Sequence, residues 1–586
     1  MNKEEFKTTN TWDLYEVGRN YNRKQNMYTE GKENYDYYHG RQWEGIQKPK
    51  SQAEPITLNI VKPIVKYKVG IINQNSYEIV FNPNTSSSQE ELQKTKDVAR
   101  GLSQFVNRMW EKSQSGKTVR SIIKNACINA EGIIYFYNQG DEILSEEIDK
   151  NNIYYGNENT SDIQDQPYIL VTYRKPVKEI IQKAREYRDK GLNSLTDEDI
   201  KTIVSDLDYE EQQGKDFMQQ EVSPMCLAIM RFERAEDGKI WVSESTRTCD
   251  IIEPQNTKCE LYPFAHFVWE EEKGYARGVS EVRGVIDNQR EINKTATRRA
   301  IAVKLGAYPK LVVATDFIKN RDALSQVGST IEVNGMKADD VHTIATYLNP
   351  AMISPDAYNL QQGLMNDSRE LAGAGDTATG QIDPERSSGK AILAIQQASQ
   401  QPLNEQLENF KYFLEDCARV IFELIKVYYL KGLNLYRSVD KYNELGNVET
   451  FEEPFSISRR ELEKIDVNLK IDITPTSAYD RYAQELSLEN LLLKGLINLE
   501  EYTDALPEGS AMPKPTLESI IQKRKEARAK IAEIQQRMNA MQSAMEQVVM
   551  ENEGQMMGGY GNEMRDVSKG GNESFSAFGG QDELSV

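Results

Sequence analysis

The feature that most constrains this chain is a tandem of long helical patterns between residues 263 and 430. PFAHFVWEEEKGYARGVSEVRGVIDNQREINKTATRRA is a turn running into a basic helix over 278–305. Some way downstream, ELAGAGDTATGQIDPERSSGKAILAIQQASQQ is a Gly-rich loop (372–389) that runs into a very long helix ending near Leu430. Along that helix Leu403, Leu407, Phe410, Leu414, Cys417, Ile421, Leu424 and Tyr428 recur at spacings of four and three, a heptad seam. Pro402 stands just before it and is expected to bend the chain there. Such a seam needs an equally long apolar partner, either within the chain or on a neighbouring copy, and the sequence leaves both open.

Composition removes several function classes. The 586 residues carry core for more than one domain, with 39% hydrophobic and 28% charged residues. No apolar run reaches a membrane-spanning length, and the polar start MNKEEFKTTNTW predicts no secretory leader. The cysteines Cys127, Cys226, Cys249, Cys259 and Cys417 are scattered without CxxC pairing, as in a reducing compartment. His39, His266 and His342 are the only histidines, which argues against a His-based metal site or a Ser-His-Asp relay. The net charge of -20 disfavours a tight general grip on DNA.

Read along the chain, 13–40 is predicted as an aromatic-rich helix ending in YDYYHGRQW and capped by Gly40. A helix begins near Pro63, with Gly70 expected to interrupt or bend it, and SYEIVF follows as a strand. Helices are expected over 86–113, with Ser88 as cap, and over 117–130, then a strand IIYFY. The polar stretch 139–165 reads as a loop, YILVTYR as a strand, and 176–218 as two charged helical runs, the second capped by Thr196. MCLAIMRFER and KIWVSESTR flank the turn EDGK as a hairpin. Gly306 is expected to stop the first long helix, with YPKLVVAT (308–315) and STIEVNG (329–335) pairing around a helical turn at 316–327. A helix over 355–372, a strand DVNLKIDIT and a helix-turn-helix shape over 479–505 follow. A last helix over 516–551 carries Ala527, Ile531, Ile534, Met538, Met541, Met545 and Val548 on a second heptad seam. The tail 552–586 has a disordered composition. The fold class is α+β, mostly helical, with a largely antiparallel sheet before residue 270.

Motif decoys fail on their own terms. QSGKT (114–118) has Glu111 where a phosphate-binding loop needs its first glycine, and no strand precedes it. SSGK (387–390) and GAGDTATG (373–380) lack the glycine order of nucleotide-binding loops. The acids of LTDEDI (195–200) sit in a helix's first turn, where they favour the dipole more than a metal. No nucleophile–base pair is visible, so no enzyme, cofactor or metal is expected.

YYHGRQW, the P-x-x-x-x-Y-K-V-G helix, NACINAEGIIYFY, GYARGVSEVRGVIDNQREINKTATRR and the Gly-rich loop with SSGKAI resemble, in that order, a portal protein of tailed bacteriophages. The resemblance is closest to the short-tailed phage kind, with the crAss-like group as a candidate. It is best over 263–430 and extends over 30–505. It implies a homo-oligomeric ring of about twelve subunits at one capsid vertex, within the virion and in the host cytoplasm during assembly. Double-stranded DNA would be packaged and ejected through it. The implied partners are the capsid protein, the terminase large subunit, and tail adaptor or head-completion proteins, with no membrane. It places an N-terminal arm and wing at 1–277 with a charged insertion at 139–222. Stem helices follow at 278–305 and 355–372, a clip at 306–354 and a tunnel loop at 373–386. A long wing helix and returning strand span 387–480, a crown 481–515 and a helical barrel 516–551. The loop residues Gly373, Gly375, Thr377, Thr379, Gln381 and Arg386 would meet DNA without base specificity. Tyr308, Pro309 and Lys310 of the clip would meet partners. Arg290, Lys294 and Arg298, four apart on the first stem helix, share a face that either meets DNA or pairs with Asp287 and Glu291. A virion scaffold or tail component that self-assembles by coiled coil is the alternative.

Overall fold

The computed structural model describes residues 8–44, 54–83, 89–140, 142–205, 224–307, 311–326, 328–334, 345–347, 355–375, 401–429, 432–442, 448–459, 467–475, 478–506 and 514–556. They divide into two units, 1–477 and 478–586.

The first unit opens with α1 (Thr8–Lys24) and α2 (Met27–His39). The single helix expected over 13–40 is thus two, because Asn26 takes a left-handed backbone at φ 56° between them. Gly40 does close α2, at φ 86°. Next come α3 (Val61–Gln74), which Gly70 does not interrupt, β1 (Asn75–Pro83), α4 (Gln89–Lys112) and α5 (Ser115–Asn129). Ser88, the expected cap of α4, lies outside the described residues.

The strands then begin: β2 (Glu131–Gln139), β3 (Glu142–Ile148), β4 (Ile153–Tyr155) and β5 (Tyr168–Pro176). This corrects the expected loop over 139–165. EILSEEI is rich in acids, so its strand propensity is low. It forms β3 because it pairs along the edge of β2, where its glutamates also guard an open edge. Helices α6 (Val177–Asp189) and α7 (Asp197–Lys201) follow. Thr196 caps α7 in a reciprocal capping box with Asp199, which accounts for one of the acids of that segment.

β6 (Met225–Arg234), β7 (Ile240–Ser245) and β8 (Asp250–Asn256) complete an antiparallel five-stranded sheet in the order β4-β5-β6-β7-β8. β9 (Phe264–Val268) joins β2 in a second sheet ordered β3-β2-β9, and β10 (Glu270–Glu272) pairs β11 (Tyr275–Val279). From β11 the chain enters α8 (Glu281–Ala307), which includes Gly306 rather than stopping at it.

Beyond α8, β12 (Leu311–Val313) pairs with β13 (Ala345–Tyr347), not with the described residues 329–334. Residues 329–334 fold back instead on the intervening turn, through an Ile318–Val333 bridge and Lys319 N–H donating to the Glu332 carbonyl. Among the described residues the expected pairing of YPKLVV with STIEVNG is therefore overturned, because the backbone of Glu332 and Asn334 is already taken by Lys319 and Phe317. Then come α9 (Asp356–Leu371), α10 (Asn404–Tyr428), the hairpin β14 (Leu433–Tyr442) and β15 (Val448–Ile457), and β16 (Val467–Pro475), which returns to pair with β1.

The seam of α10 is satisfied inside the chain. Phe410, Leu414, Cys417, Ile421 and Leu424 are buried in the main core, where the helix packs against β2, β9 and β16. Phe267 of β9 meets Phe410 and Phe413 at ring distances of 6.0 and 5.6 Å. Each such side chain contributes about 1.5–3 kcal/mol on leaving water. The second unit holds α11 (Ala478–Leu493), α12 (Leu499–Ala505) and α13 (Lys514–Met556). The described part of α13 leaves its seam in solvent, with Ile531, Ile534, Met538, Met541 and Met545 between 59% and 74% exposed.

Where β11 meets the sheets, the core is ionic. Arg277 is buried, and all five of its N–H groups find oxygen. Its Nε and Nη2 clasp Glu158 at 2.9 and 2.8 Å, and Nη1 reaches Glu131 at 2.9 Å. The remaining N–H groups donate to the Lys150 and Ile153 carbonyls at 3.0 Å. His266 holds the other Glu131 oxygen at 2.8 Å, and the Tyr155 ring lies 4.7 Å beneath the guanidinium. Burial raises the Glu131 carboxyl, but Arg277 and then His266 outweigh it and hold the group below its ordinary 4.5. The neighbouring Gly278 takes φ 67°, and a Cβ there would lie 2.4 Å from the Glu270 carbonyl oxygen. Only glycine fits.

Removing one partner leaves the other charge buried, so Arg277→Met should cost about 3–5 kcal/mol in urea unfolding. A depressed carboxylate contributes stability above its unfolded value that is lost as pH falls through the folded one. Wild-type stability should accordingly drop more steeply below about pH 4.5 than that of Glu131→Gln.

Candidate functional site

The site is built on α8, which is gripped along most of its length and open on one side. Its first turn is fixed by four contacts. The Ser280 hydroxyl accepts the Arg283 N–H at 3.1 Å and the Asn34 amide at 3.2 Å. Glu281 pairs with buried Lys68 at 2.7 Å and accepts the Trp269 indole N–H at 3.2 Å.

A polar ladder continues the grip. Gln289, Asn293 and Thr297, each four residues on, are buried and read the backbone of the extended segment before α3. The N–H groups of Ile60, Leu58 and Ile56 donate to Gln289 Oε1, Asn293 Oδ1 and Thr297 Oγ1 at 2.8, 2.9 and 3.0 Å. Gln289 returns a hydrogen bond to the Leu58 carbonyl at 2.8 Å. The match is geometric. One helix step of four residues rises about 6 Å, and two residues of extended chain advance about 6.6 Å. Asn293 also donates to Gln42 at 2.5 Å, and Gln42 donates to the Tyr37 carbonyl at 2.8 Å. YYHGRQW also clamps the segment that α8 reads, since Trp43 donates to the Ile56 carbonyl at 3.3 Å and Asn59 donates to the Tyr37 and Tyr38 carbonyls at 3.2 and 3.1 Å.

Sequence reasoning missed the ladder. Its signal was a set of amides and a hydroxyl at helical spacing, Gln289, Asn293 and Thr297, about 100° round the helix from the charges.

The open side of α8 carries Arg283, Asp287, Lys294 and Arg298, with Arg290 and Glu291 half-buried between them. Arg290, Lys294 and Arg298 are not alike. Arg290 pairs with Glu33 of α2 and with Asp287, and donates to the Tyr37 hydroxyl at 2.8 Å. Burial works against its charge, yet Tyr37 and Glu33 raise its pKa overall. Lys294 and Arg298 share Glu291 at 3.6 and 3.3 Å and keep 45% and 71% of their side-chain exposure. Arg283 and Arg290 are balanced by Glu33 and Asp287, while Lys294 and Arg298 share the single Glu291, so the stripe keeps one net positive charge at its Lys294–Arg298 end. Farther on, Arg299 donates to Gln361 of α9 at 2.5 Å and lies 4.8 Å from the Tyr358 ring.

α9 ends at Gly373, with φ 67°. The Gly373 N–H donates to the Glu370 carbonyl and the Ala374 N–H to the Arg369 carbonyl, at 2.9 and 2.8 Å. A Cβ on Gly373 would meet Pro402 at 3.1 Å, so the chain that leaves after Gly375 returns at Gln401 close to its point of departure. Gly373 is thus a fixed cap rather than a free joint. Thr377, Thr379, Gln381 and Arg386, and likewise Tyr308, Pro309 and Lys310, lie outside the described residues. Among the described residues no helix is long and apolar enough to cross a membrane.

A family model described as phage P22-like portal protein matches residues 16–559, and no curated protein matches. The chain belongs to the phage P22-like portal protein family.

Removing the ladder while keeping the charges tests what holds α8. Asn293→Ala strands the Leu58 N–H and the Gln42 amide, which should cost about 1–3 kcal/mol. Lys294→Gln, on the open face, should change urea-unfolding stability by less than about 0.5 kcal/mol.

Proposed function

We propose that this portal protein assembles as a closed ring, with about twelve copies, at one vertex of the capsid. Double-stranded DNA enters and leaves through its axis. The observation that carries the reading is the single open face of α8, positive through Lys294 and Arg298 on a chain of net charge -20. A ring would hold on the order of -240 formal charges, which keeps a duplex centred and mobile. A few shared cations on a rigid helix add a weak hold without base readout.

In this reading α8 and α9 are the stem helices, β12 and β13 belong to the clip, and 373–386 is the tunnel loop. The clip would take the terminase large subunit during packaging and tail adaptor proteins afterwards, with Tyr308, Pro309 and Lys310 as contacts. The wing (1–277 with 387–480) would meet the capsid protein, and 481–515 would form the crown. The exposed Ile531, Ile534, Met538, Met541 and Met545 seam of α13 supports a helical barrel made by neighbouring copies. The role is structural rather than enzymatic, in the virion and in the host cytoplasm during assembly, with a short-tailed particle as the setting.

Deleting 374–385 should leave ring assembly intact, judged by native mass, and reduce DNA packaged or retained per particle. Full packaging by that variant would refute the loop assignment.

A further inference from the structure

The charge of this chain is unevenly spread. Across its 586 residues acids outnumber bases by 91 to 71, yet α3 (VKPIVKYKVGIINQ) and α5 (SGKTVRSIIKNACIN) contain no acid at all. These two helices pack against each other. Of their bases, Lys68 turns inward to Glu281, while Lys62, Lys66, Lys117 and Arg120 are exposed and Lys124 is half-buried. Within the described residues none of these five outward cations has a carboxylate at ion-pair distance.

The crowding is sharpest at one end. Lys62 and Lys124, from different helices, lie over the same Tyr38 ring at 6.0 and 5.3 Å from its centre. The exposed imidazole of His39 meets that ring edge-on at 5.1 Å. Arg41 is adjacent in sequence but already bound to Asp36 at 2.7 Å. Lys62 also stands in the first turn of α3, the positive end of a helix, where its own N–H is capped by Asn59 at 3.1 Å. A helix start ordinarily favours an acid there. Burial and then Arg41, Lys124 and Lys62 push the His39 pKa down, so this end of the face is a positive environment.

We infer that the outer face of α3 and α5, with His39 at its end, is a second duplex-DNA contact surface, separate from the α8 stripe and directed at phosphates. The spacing suits a polyanion. Lys62 and Lys66, and Arg120 and Lys124, are each one helix step apart, about 6 Å, against a duplex charge every ~3.4 Å along each strand. Adjacent helices lie about 8–10 Å apart, so the two rows engage different stretches of backbone. Nothing in the face offers a base-reading pair, so binding would ignore sequence and fall steeply with salt.

The choice of DNA as the polyanion rests on the conduit reading, and the test separates the two. The purified full-length protein is titrated with a short fluorescent duplex across about 50–200 mM salt. Lysines are mapped by acetylation and mass spectrometry with and without the duplex. The expected result is protection of Lys62, Lys66, Lys117 and Lys124 at low salt. In the Lys66→Gln/Arg120→Gln/Lys124→Gln variant the slope of log affinity against log salt should shrink by about 2–3 units. These side chains lie on the outer face, and acetylation of the wild type needs no variant to fold. An unchanged slope in that variant, with loss of binding in Lys294→Gln/Arg298→Gln instead, would overturn this face and keep the conduit. Lysine protection that appears on oligomerisation without DNA would overturn it in favour of a contact between copies. No duplex binding by the wild type would remove both.

Discussion

Everything proposed for this molecule depends on how α8 is held. A helix lining a passage must be rigid, yet it cannot be buried all round, because one face has to remain open. The solution here is asymmetric. Val282, Val285, Ile286 and Ile292 bury an apolar side in the core, and Gln289, Asn293 and Thr297 bury a polar one against backbone amides. A buried amide that reads main chain is satisfied only in one register, so the ladder sets the rotation of the helix as well as its position. What remains facing outward is the charged stripe from Arg283 to Arg298.

The same logic runs one step upstream. The buried Arg277 cluster ties β11 to β4 and β2 just before α8 begins, and Ser280, Glu281 and Lys68 fix its first turn. Ionic groups this deep offer little net stability over an apolar core, but they tolerate few alternative arrangements. Any load on α8 would pass into the paired sheets through hydrogen bonds with defined directions.

Much of this was legible in the residues. The heptad spacing of α10 located its buried face, Gly40 marked the end of α2, and Thr196 marked the start of α7, because periodicity and caps are local. The strand β3 was not legible, since its acids disfavour a strand that only pairing with β2 makes stable. The β12–β13 pairing was hidden for a related reason: the nearer segment is consumed by its own turn. Charge spacing singled out Arg290, Lys294 and Arg298 together, but could not reveal that Glu33 and Tyr37, far away in sequence, claim Arg290. The ladder and the acid-free pair of α3 and α5 emerge only when helices distant in the chain are placed side by side.

The central claim is that α8 presents Lys294 and Arg298 to a passage through a ring. Cryo-electron microscopy of the purified full-length protein tests it most directly. The account predicts a closed ring whose axial opening admits a duplex, roughly 20 Å, with Lys294 and Arg298 on its inner wall. A ring in which these side chains face outward, or are sealed between copies, would contradict it.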